Sequence, residues 1–488
     1  MFRSIRQSPN YKWWAFVAVE VGNITSALTH SAAIVALPSV ALHYQTDLAT
    51  VQWIILAELL ATAALMLPMG RLSDIIGRKQ VFMAGLCTFG VGGLLATTAT
   101  SINTLIMAML IQGTGAAMIQ GMGMALVASL FPFSERGKGL GAHMSSMGAG
   151  SIVGPALGGL LISAFHWRAV FFIPVPMAIL AIAASILILD GSVFARDTQR
   201  PKFDWLGATL CAGALVALML GLTYGYRIGW ASPLILATLI GFAVMAASFI
   251  LWELHTPSPM LDLRLFKRSV FSLGVSAGFL TFVGGSSVRF LMPFYLQGVL
   301  NLTPAWVGLI LVPNALCTIF LGPISGRLSD RYGWRTFTVA GLAISAAGMF
   351  LLAAVTENSS LWLVIGGMVV QSSGMAIFFS PNNSSVISAA ENTRYGVVSA
   401  LVGVTRNSGN VISIAVSTAI VTITMASMGY AASLDAVAEA PHAFVSGMRR
   451  AYIVLGLLLV LGMVLSYKRS QRVEPVPTPA AEIPANPS

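Results

Sequence analysis

The chain has 488 residues, of which 56% are hydrophobic and only 9% charged, with a formal net charge of +10. Soluble domains carry about 25% charged residues, so this composition excludes an ordinary soluble globular chain, and no polar linker long enough to part separate domains interrupts it. Its three cysteines, Cys87, Cys211 and Cys317, each fall inside an apolar run, which excludes a disulfide framework or a metal cluster; no zinc spacing, P-loop or Ser/His/Asp arrangement stands out, so no enzyme activity, metal or cofactor is expected.

A membrane span needs about 20 apolar residues. Taken in order, fourteen runs meet that length: 13–37, 51–69, 81–99, 104–130, 139–163 and 169–189, then 205–224 and 233–253, then 270–298, 306–325, 336–355, 361–380, 396–424 and 450–467. The first is too long for a cleaved signal peptide, carries Glu20, and has no small-residue cleavage site before the next run. Residues 468–488 are polar and Pro-rich, the composition of a disordered tail.

After the second run the chain reads Gly70-Arg71-Leu72-Ser73-Asp74-Ile75-Ile76-Gly77-Arg78-Lys79, and after the tenth Gly326-Arg327-Leu328-Ser329-Asp330-Arg331-Tyr332-Gly333-Trp334-Arg335. A charged loop repeated between spans marks a parallel internal repeat. The copies lie 256 positions apart, from Gly70 to Gly326; at roughly 30 residues per span and loop, that is eight spans and not six. The expected fold is an all-α integral membrane protein. A six-helix half at 1–190 and another at 270–467 flank a linker, 191–269, holding two additional transmembrane helices, and a cytoplasmic tail follows at 468–488.

Basic residues orient the spans. With the N-terminus inside, the outer face collects only Arg168, Arg227, Arg449 and Arg450, Arg289 and Arg406 fall within spans, and the rest of the 27 lie inside. Both termini are therefore expected in the cytoplasm. The positive charge reads as topology and not as a nucleic-acid footprint.

In each GRLSD loop the carboxylate, Asp74 or Asp330, ends a helix where it can accept from N–H groups of the next helix or pair with a nearby Arg, and the glycines permit a tight turn. The alternative is a plain basic topogenic loop. In the fifth run, Gly150, Gly154, Gly158 and Gly159 place small residues at spacings that let helices meet backbone to backbone, with Pro155 removing one backbone bond; an ordinary packing helix is the plainer reading.

These segments resemble motifs of the major facilitator superfamily. The GRLSD loops are similar to its G-x-L-a-D-r-x-G-r-k loop, and Gly150-Ser151-Ile152-Val153-Gly154-Pro155-Ala156-Leu157-Gly158-Gly159 to its G-x-x-x-G-P-x-x-G-G antiporter motif. Trp167-Arg168 with Phe171–Pro176, Tyr295–Leu300 ahead of Thr303-Pro304, and Arg406-Asn407-Ser408-Gly409 resemble stretches of the 14-helix drug:proton antiporter branch, the multidrug efflux transporters. The resemblance spans nearly the whole chain. It implies a major facilitator fold, alternating access, and an inner-gate latch made by Gly70, Arg71, Asp74, Gly77 and Arg78 with Gly326, Arg327, Asp330 and Arg335. Trp334 stands where the family usually has Arg, which implies a weaker second latch.

Two departures bear on coupling. Leu110-Ile111-Gln112-Gly113-Thr114-Gly115-Ala116-Ala117 matches a fourth-helix motif whose Arg is here Met109, and the usual first-helix Asp, nine residues before Pro38, is Thr29. Among the 17 acidic residues only Glu20 and Glu58 lie well within spans. A carboxylate in hydrocarbon faces a cavity, pairs, or binds a proton. Glu20, Glu58 and His30 are thus the candidate proton-coupling residues, with Glu20 ahead because no basic partner is evident for it. Interfacial snorkelling is the alternative for Glu20, a structural ion pair for Glu58, and a satisfied core histidine for His30. Arg289, Arg406 and Gln112 are candidate gate or substrate contacts, with a Glu58–Arg289 gate pair expected and substrate-anion contact its rival.

The expected function is a secondary transporter that exports small amphiphilic compounds in exchange for protons, as a monomer in a bacterial plasma membrane, with no nucleic-acid partner. The alternatives are a proton-independent facilitator, a lipid or metabolite exporter, and a transporter-like sensor without flux. The 23 Met residues supply adaptable cavity walls, or simply a lipid-facing surface.

Overall fold

The computed structural model describes residues 10–132, 135–189, 204–229, 231–256, 263–388, 395–430 and 434–469, with the side chains of some helical residues, Asp74 and Asp330 among them, outside that description. The expected tail beyond Arg469 and most of the loop before the seventh span lie outside the described residues. Fourteen helices are long and apolar enough to cross a membrane. The first half comprises α1 (Tyr11–Tyr44), α2 (Leu48–Ile76), α3 (Arg78–Thr97), α4 (Ile102–Leu130), α5 (Arg136–Ala164) and α6 (Arg168–Ile188). The added pair is α7 (Trp205–Ile228) and α8 (Pro233–His255). The second half comprises α9 (Ser269–Val299), α10 (Pro304–Tyr332), α11 (Trp334–Ala353), α12 (Leu361–Ser388), α13 (Tyr395–Ser427) and α14 (Pro441–Lys468).

Local chemistry sets several starts. Asp47 accepts from Thr50 N at 2.9 Å, Ser101 and Thr104 form a reciprocal capping box, and Asp204 accepts from Gly207 N at 2.8 Å. Pro233, Pro304 and Pro441 occupy first-turn positions whose N–H has no helical acceptor anyway. The helix α14 starts a full two turns before the apolar run at 450–467, so Arg449 and Arg450 lie within it. Arg450 Nη1 reaches Thr424 Oγ1 at 3.5 Å.

We call proximal the face where α1 starts and α14 ends, and distal the face where α1 ends. At the distal face Tyr44 Oη and Arg168 Nη2 both donate to Ala99 O at 3.0 Å, and the rings of His43, His166 and Trp167 cluster. Burial, then Arg168 and then His43, hold His166 below its usual value near 6.5.

The largest buried cluster draws on both halves: Leu37, Leu56 and Met109 pack in one core with Phe290, Leu311 and Tyr452. Across that core Gln297 Nε2 donates to Val35 O and Ala305 N to Ser163 Oγ, each at 3.1 Å. Toward the proximal face the halves keep separate cores, one around Phe16, Phe82, Phe89 and Leu126, the other around Leu265, Phe271, Val386 and Val398. The core shared by the two halves thus lies toward the distal face. Against one side of the seam, Ala208 of α7 packs with Met66, Leu67 and Val404, and Tyr224 stacks on Trp53 at 5.3 Å, while α8 stays on the periphery, 6% buried over its span.

Candidate functional site

Beside the shared core lies a cavity of about 300 Å³ between the halves. The first half lines it with Ser26, His30, Ser31, Glu58, Thr62, Gln120, Met147 and Ser151; the second lines it with Phe282, Arg289, Asn314, Gln371, Met375, Phe379, Arg406, Asn407 and Asn410. The α9 helix shapes the distal wall. Its α-helical run stops at Gly285 and resumes at Ser287, Pro293 then removes one backbone donor, and a π-helical turn closes it at Tyr295–Val299. Arg289 emerges just past the first of these breaks.

His30 Nδ1 lies 3.0 Å from Glu58 Oε2, joining α1 to α2. Glu58 is 3% exposed and His30 27%, so the histidine is the pair's wetter member. The helix α4 packs against Glu58: Gly113 approaches so closely that a Cβ there would sit 2.8 Å from Glu58 Cα, and Thr62 of α2, whose Oγ1 donates to Glu58 O at 2.7 Å, also reaches Gly113 O at 3.1 Å. The expected Glu58–Arg289 pair is not formed. Glu58 is satisfied within its own half, while Arg289, on the interrupted helix of the other half, has no carboxylate within ion-pair distance among the described residues. Depth along one helix does not fix distance across a gap between halves.

Glu20 also differs from expectation. Its Oε1 lies 2.7 Å from His143 Nδ1, with both side chains buried, while its Oε2 has no hydrogen-bond partner. The pair lies between α1 and α5 and does not line the cavity. The sequence carried an unread signal for His143. Positions 143, 150, 154 and 158 fall on one face of α5, the face whose glycines meet α1. Nearer the proximal end the same two helices are joined by Lys12 and Glu135 at 2.5 Å.

The antiporter-like segment is a contact surface. A Cβ at Gly150 would meet Ile24 O at 2.8 Å, one at Gly154 Leu28 O at 2.5 Å and the Ser31 hydroxyl closer still, and one at Gly158 Ala32 Cβ at 2.9 Å. Gly159 faces Pro304 O across the halves, and Gly308 faces Pro155 O in return. Gln112 is fully buried where Gly92 of α3 meets α4, away from the cavity. Arg406 Nη2 donates to Gln120 Oε1 at 3.1 Å, and Gln120 Nε2 donates to Ser26 Oγ at 3.2 Å, a bridge from α13 through α4 to α1.

The two GRLSD segments share one geometry. Gly77 and Gly333 each form a single-residue joint between helices with positive φ, 118° and 88°. Gly77 N donates to Ser73 O and Gly333 N to Ser329 O, both at 2.9 Å; the Ser73 and Ser329 hydroxyls donate to Gly70 O and Gly326 O at 2.6 and 2.7 Å. Arg335 donates to Tyr467 O and stacks on its ring, whereas Arg71 keeps a buried Nε without a partner and Arg327 is exposed. Arg78 is the first residue of α3, directly after the first joint. The carboxylates of Asp74 and Asp330, expected as latch acceptors, lie outside the described residues.

Arg469, read from the sequence as an inner-face charge, is instead fully buried. Its Nη1 donates to Asn382 Oδ1 at 2.8 Å and Nη2 to Ser385 Oγ at 2.7 Å, with the guanidinium 4.2 Å over the Trp334 ring.

The family model for the Major Facilitator Superfamily matches residues 20–251, 205–414 and 274–488. The chain belongs to this superfamily. The chain is 30% identical over 399 residues to the riboflavin transporter RibZ of Clostridioides difficile, covering 81% of this chain and 85% of that one. It is 30% identical over 398 residues to the tetracenomycin C resistance and export protein of Streptomyces glaucescens, covering 80% and 72%, and 29% identical over 383 residues to the multidrug resistance protein Stp of Mycobacterium tuberculosis, covering 78% and 71%. A bacterial homologue of the human lysosomal transporter Spinster, solved inward-facing and unoccupied, superposes with a TM-score of 0.69 at 15% identity, covering 95% of this chain and 97% of that one. These relatives are transporters, and this chain is a transporter and not an enzyme.

Proposed function

We propose that this transporter exports small amphiphilic compounds across the bacterial plasma membrane in exchange for protons, and that the His30–Glu58 pair carries the proton. The observation behind the reading is that this pair lines the cavity between the halves, beside the core they share. A carboxylate and an imidazole that face the cavity can both exchange protons with it. Protonating Glu58 removes the charge that holds His30, so loading a proton loosens the joint between α1 and α2 beside the substrate space. The usual coupling positions are occupied by residues that take no part: Thr29 is buried, and Met109 is in the apolar core.

With both chain ends in the cytoplasm, the proximal face is the inner one and the described state faces inward. The six-helix halves then rock about the cavity, and the GRLSD joints close the inner face when the distal side opens. The cavity is complete within one chain, consistent with a working monomer. The test is flux of fluorescent amphiphiles from proteoliposomes under an imposed pH gradient: transport that follows the gradient in the wild type and loses that dependence in Glu58→Gln supports the reading, and wild-type flux indifferent to the gradient overturns it.

A further inference from the structure

We propose that the cavity takes an amphiphilic anion, a molecule with a carboxylate, sulfonate or phosphate on an apolar ring body, whose negative group sits against Arg289 and Arg406. This deepens the transport reading above and rests on it. Among the described residues, four charged or titratable groups face the cavity: His30, Glu58, Arg289 and Arg406. Glu58 is engaged by His30, so the two guanidinium groups that line the same cavity have no carboxylate within ion-pair distance among the described residues.

A charge held at membrane depth is costly unless a counter-charge, a polar partner or cavity water meets it. Arg406 has one neutral partner, Gln120. Among the described residues Arg289 has no hydrogen-bond or ion-pair partner, and it is exposed to the cavity and to its narrow distal extension beside His30. The neighbouring Asn407 Nδ2 is a buried donor with no acceptor. Two guanidinium forks lining one cavity match an oxyanion that accepts several hydrogen bonds at once. The apolar remainder of the ligand has Phe282, Phe379, Met375 and Leu311 to lie against. A permanent cation meets the opposite: two like charges and a single acid already paired.

The test uses two dyes of comparable ring size, the anion 5-carboxyfluorescein and the cation ethidium. Binding to the full chain in lipid nanodiscs is read by fluorescence polarisation, and counterflow is read in proteoliposomes. The wild type should bind carboxyfluorescein at least tenfold more tightly than ethidium. Arg289→Gln should weaken the anion at least tenfold without weakening ethidium, and Arg289→Lys should recover part of the loss. If Arg289→Gln fails to insert, Arg406→Gln and Arg289→Lys carry the comparison, with a several-fold anion-specific loss expected from each. Tighter ethidium binding, or unchanged carboxyfluorescein binding in these variants, overturns the inference. Ethidium counterflow without carboxyfluorescein counterflow overturns it while leaving transport intact; counterflow of neither dye overturns the transport reading and this inference with it.

Discussion

His30 Nδ1 and Glu58 Oε2 meet at 3.0 Å on the wall of the central cavity, while the other buried acid–histidine pair, Glu20–His143, is packed between α1 and α5 away from it. Two pairs of the same chemistry in one half therefore have different access to substrate and water. Only a group in contact with the cavity can trade its proton in step with substrate.

Coupling should accordingly fail in Glu58→Gln and survive in Glu20→Gln. The first variant is expected to lose pH-driven flux at least tenfold while keeping exchange at equal pH. The second removes half of a buried pair and should lower stability by about 1–3 kcal/mol, with the residual flux still following the gradient. Gradient-driven transport persisting in Glu58→Gln would assign the proton to another group.

The α5 glycines lead to a steric expectation. A side chain at Gly154 runs into the Ser31 hydroxyl and Leu28 O, both on α1, and a helix pair in van der Waals contact has no room for it. Gly154→Leu should abolish transport, or reduce it more than tenfold, in protein that still inserts; Gly241→Leu, where a Cβ meets open space, serves as the control. Normal flux from Gly154→Leu would remove the contact from the mechanism.

Fourteen spans are legible in the sequence because apolar run length is a local property of the chain. The site was only partly legible. Glu58, Arg289 and Arg406 stand out because charge inside a span is rare, and His30 because it adjoins Thr29; all four line the cavity. Who pairs with whom was not: Glu58 was matched to Arg289, and Glu20 to nothing, because partners on different helices are set by rotation about each axis. For His143 the helical face was computable from Gly150 and Gly154. For Gln112, a motif match concealed that its side chain lies against Gly92 of α3, which no spacing within α4 reveals.

The single-glycine joints at Gly77 and Gly333 have backbone conformations costly for any residue with a Cβ, by roughly 1–2 kcal/mol. Gly77→Ala and Gly333→Ala should each lower thermal stability by about that amount, and the double variant by nearly the sum, since the joints lie in different halves. Asp74→Asn, by contrast, should reduce flux with little change in stability, because its expected part is to hold one conformation. Melting curves in detergent, set beside flux in proteoliposomes, separate the two effects; an alanine variant as stable as the wild type would contradict the geometry.

Arg469 presents a buried cation with hydrogen bonds and a ring beneath it but no carboxylate within ion-pair distance among the described residues. Burial lowers its pKa from the ordinary guanidinium value to about 10. A base whose folded value is depressed costs the fold a constant amount while both states are protonated, and that cost is relieved only as pH rises above about 10. Stability near neutral pH should therefore be insensitive to this group's titration, and substitution is the probe. Arg469→Lys keeps the buried charge but loses the fork to Asn382 and Ser385 and the planar stack on Trp334. Arg469→Met loses the same hydrogen bonds yet removes the charge and fills similar space. The lysine variant is expected to be the less stable of the two, by about 1–2 kcal/mol, in thermal unfolding of the purified protein at pH 7. The reverse order would show that the charge itself holds α9, α12 and α14 together, through a counter-charge supplied from outside the described residues.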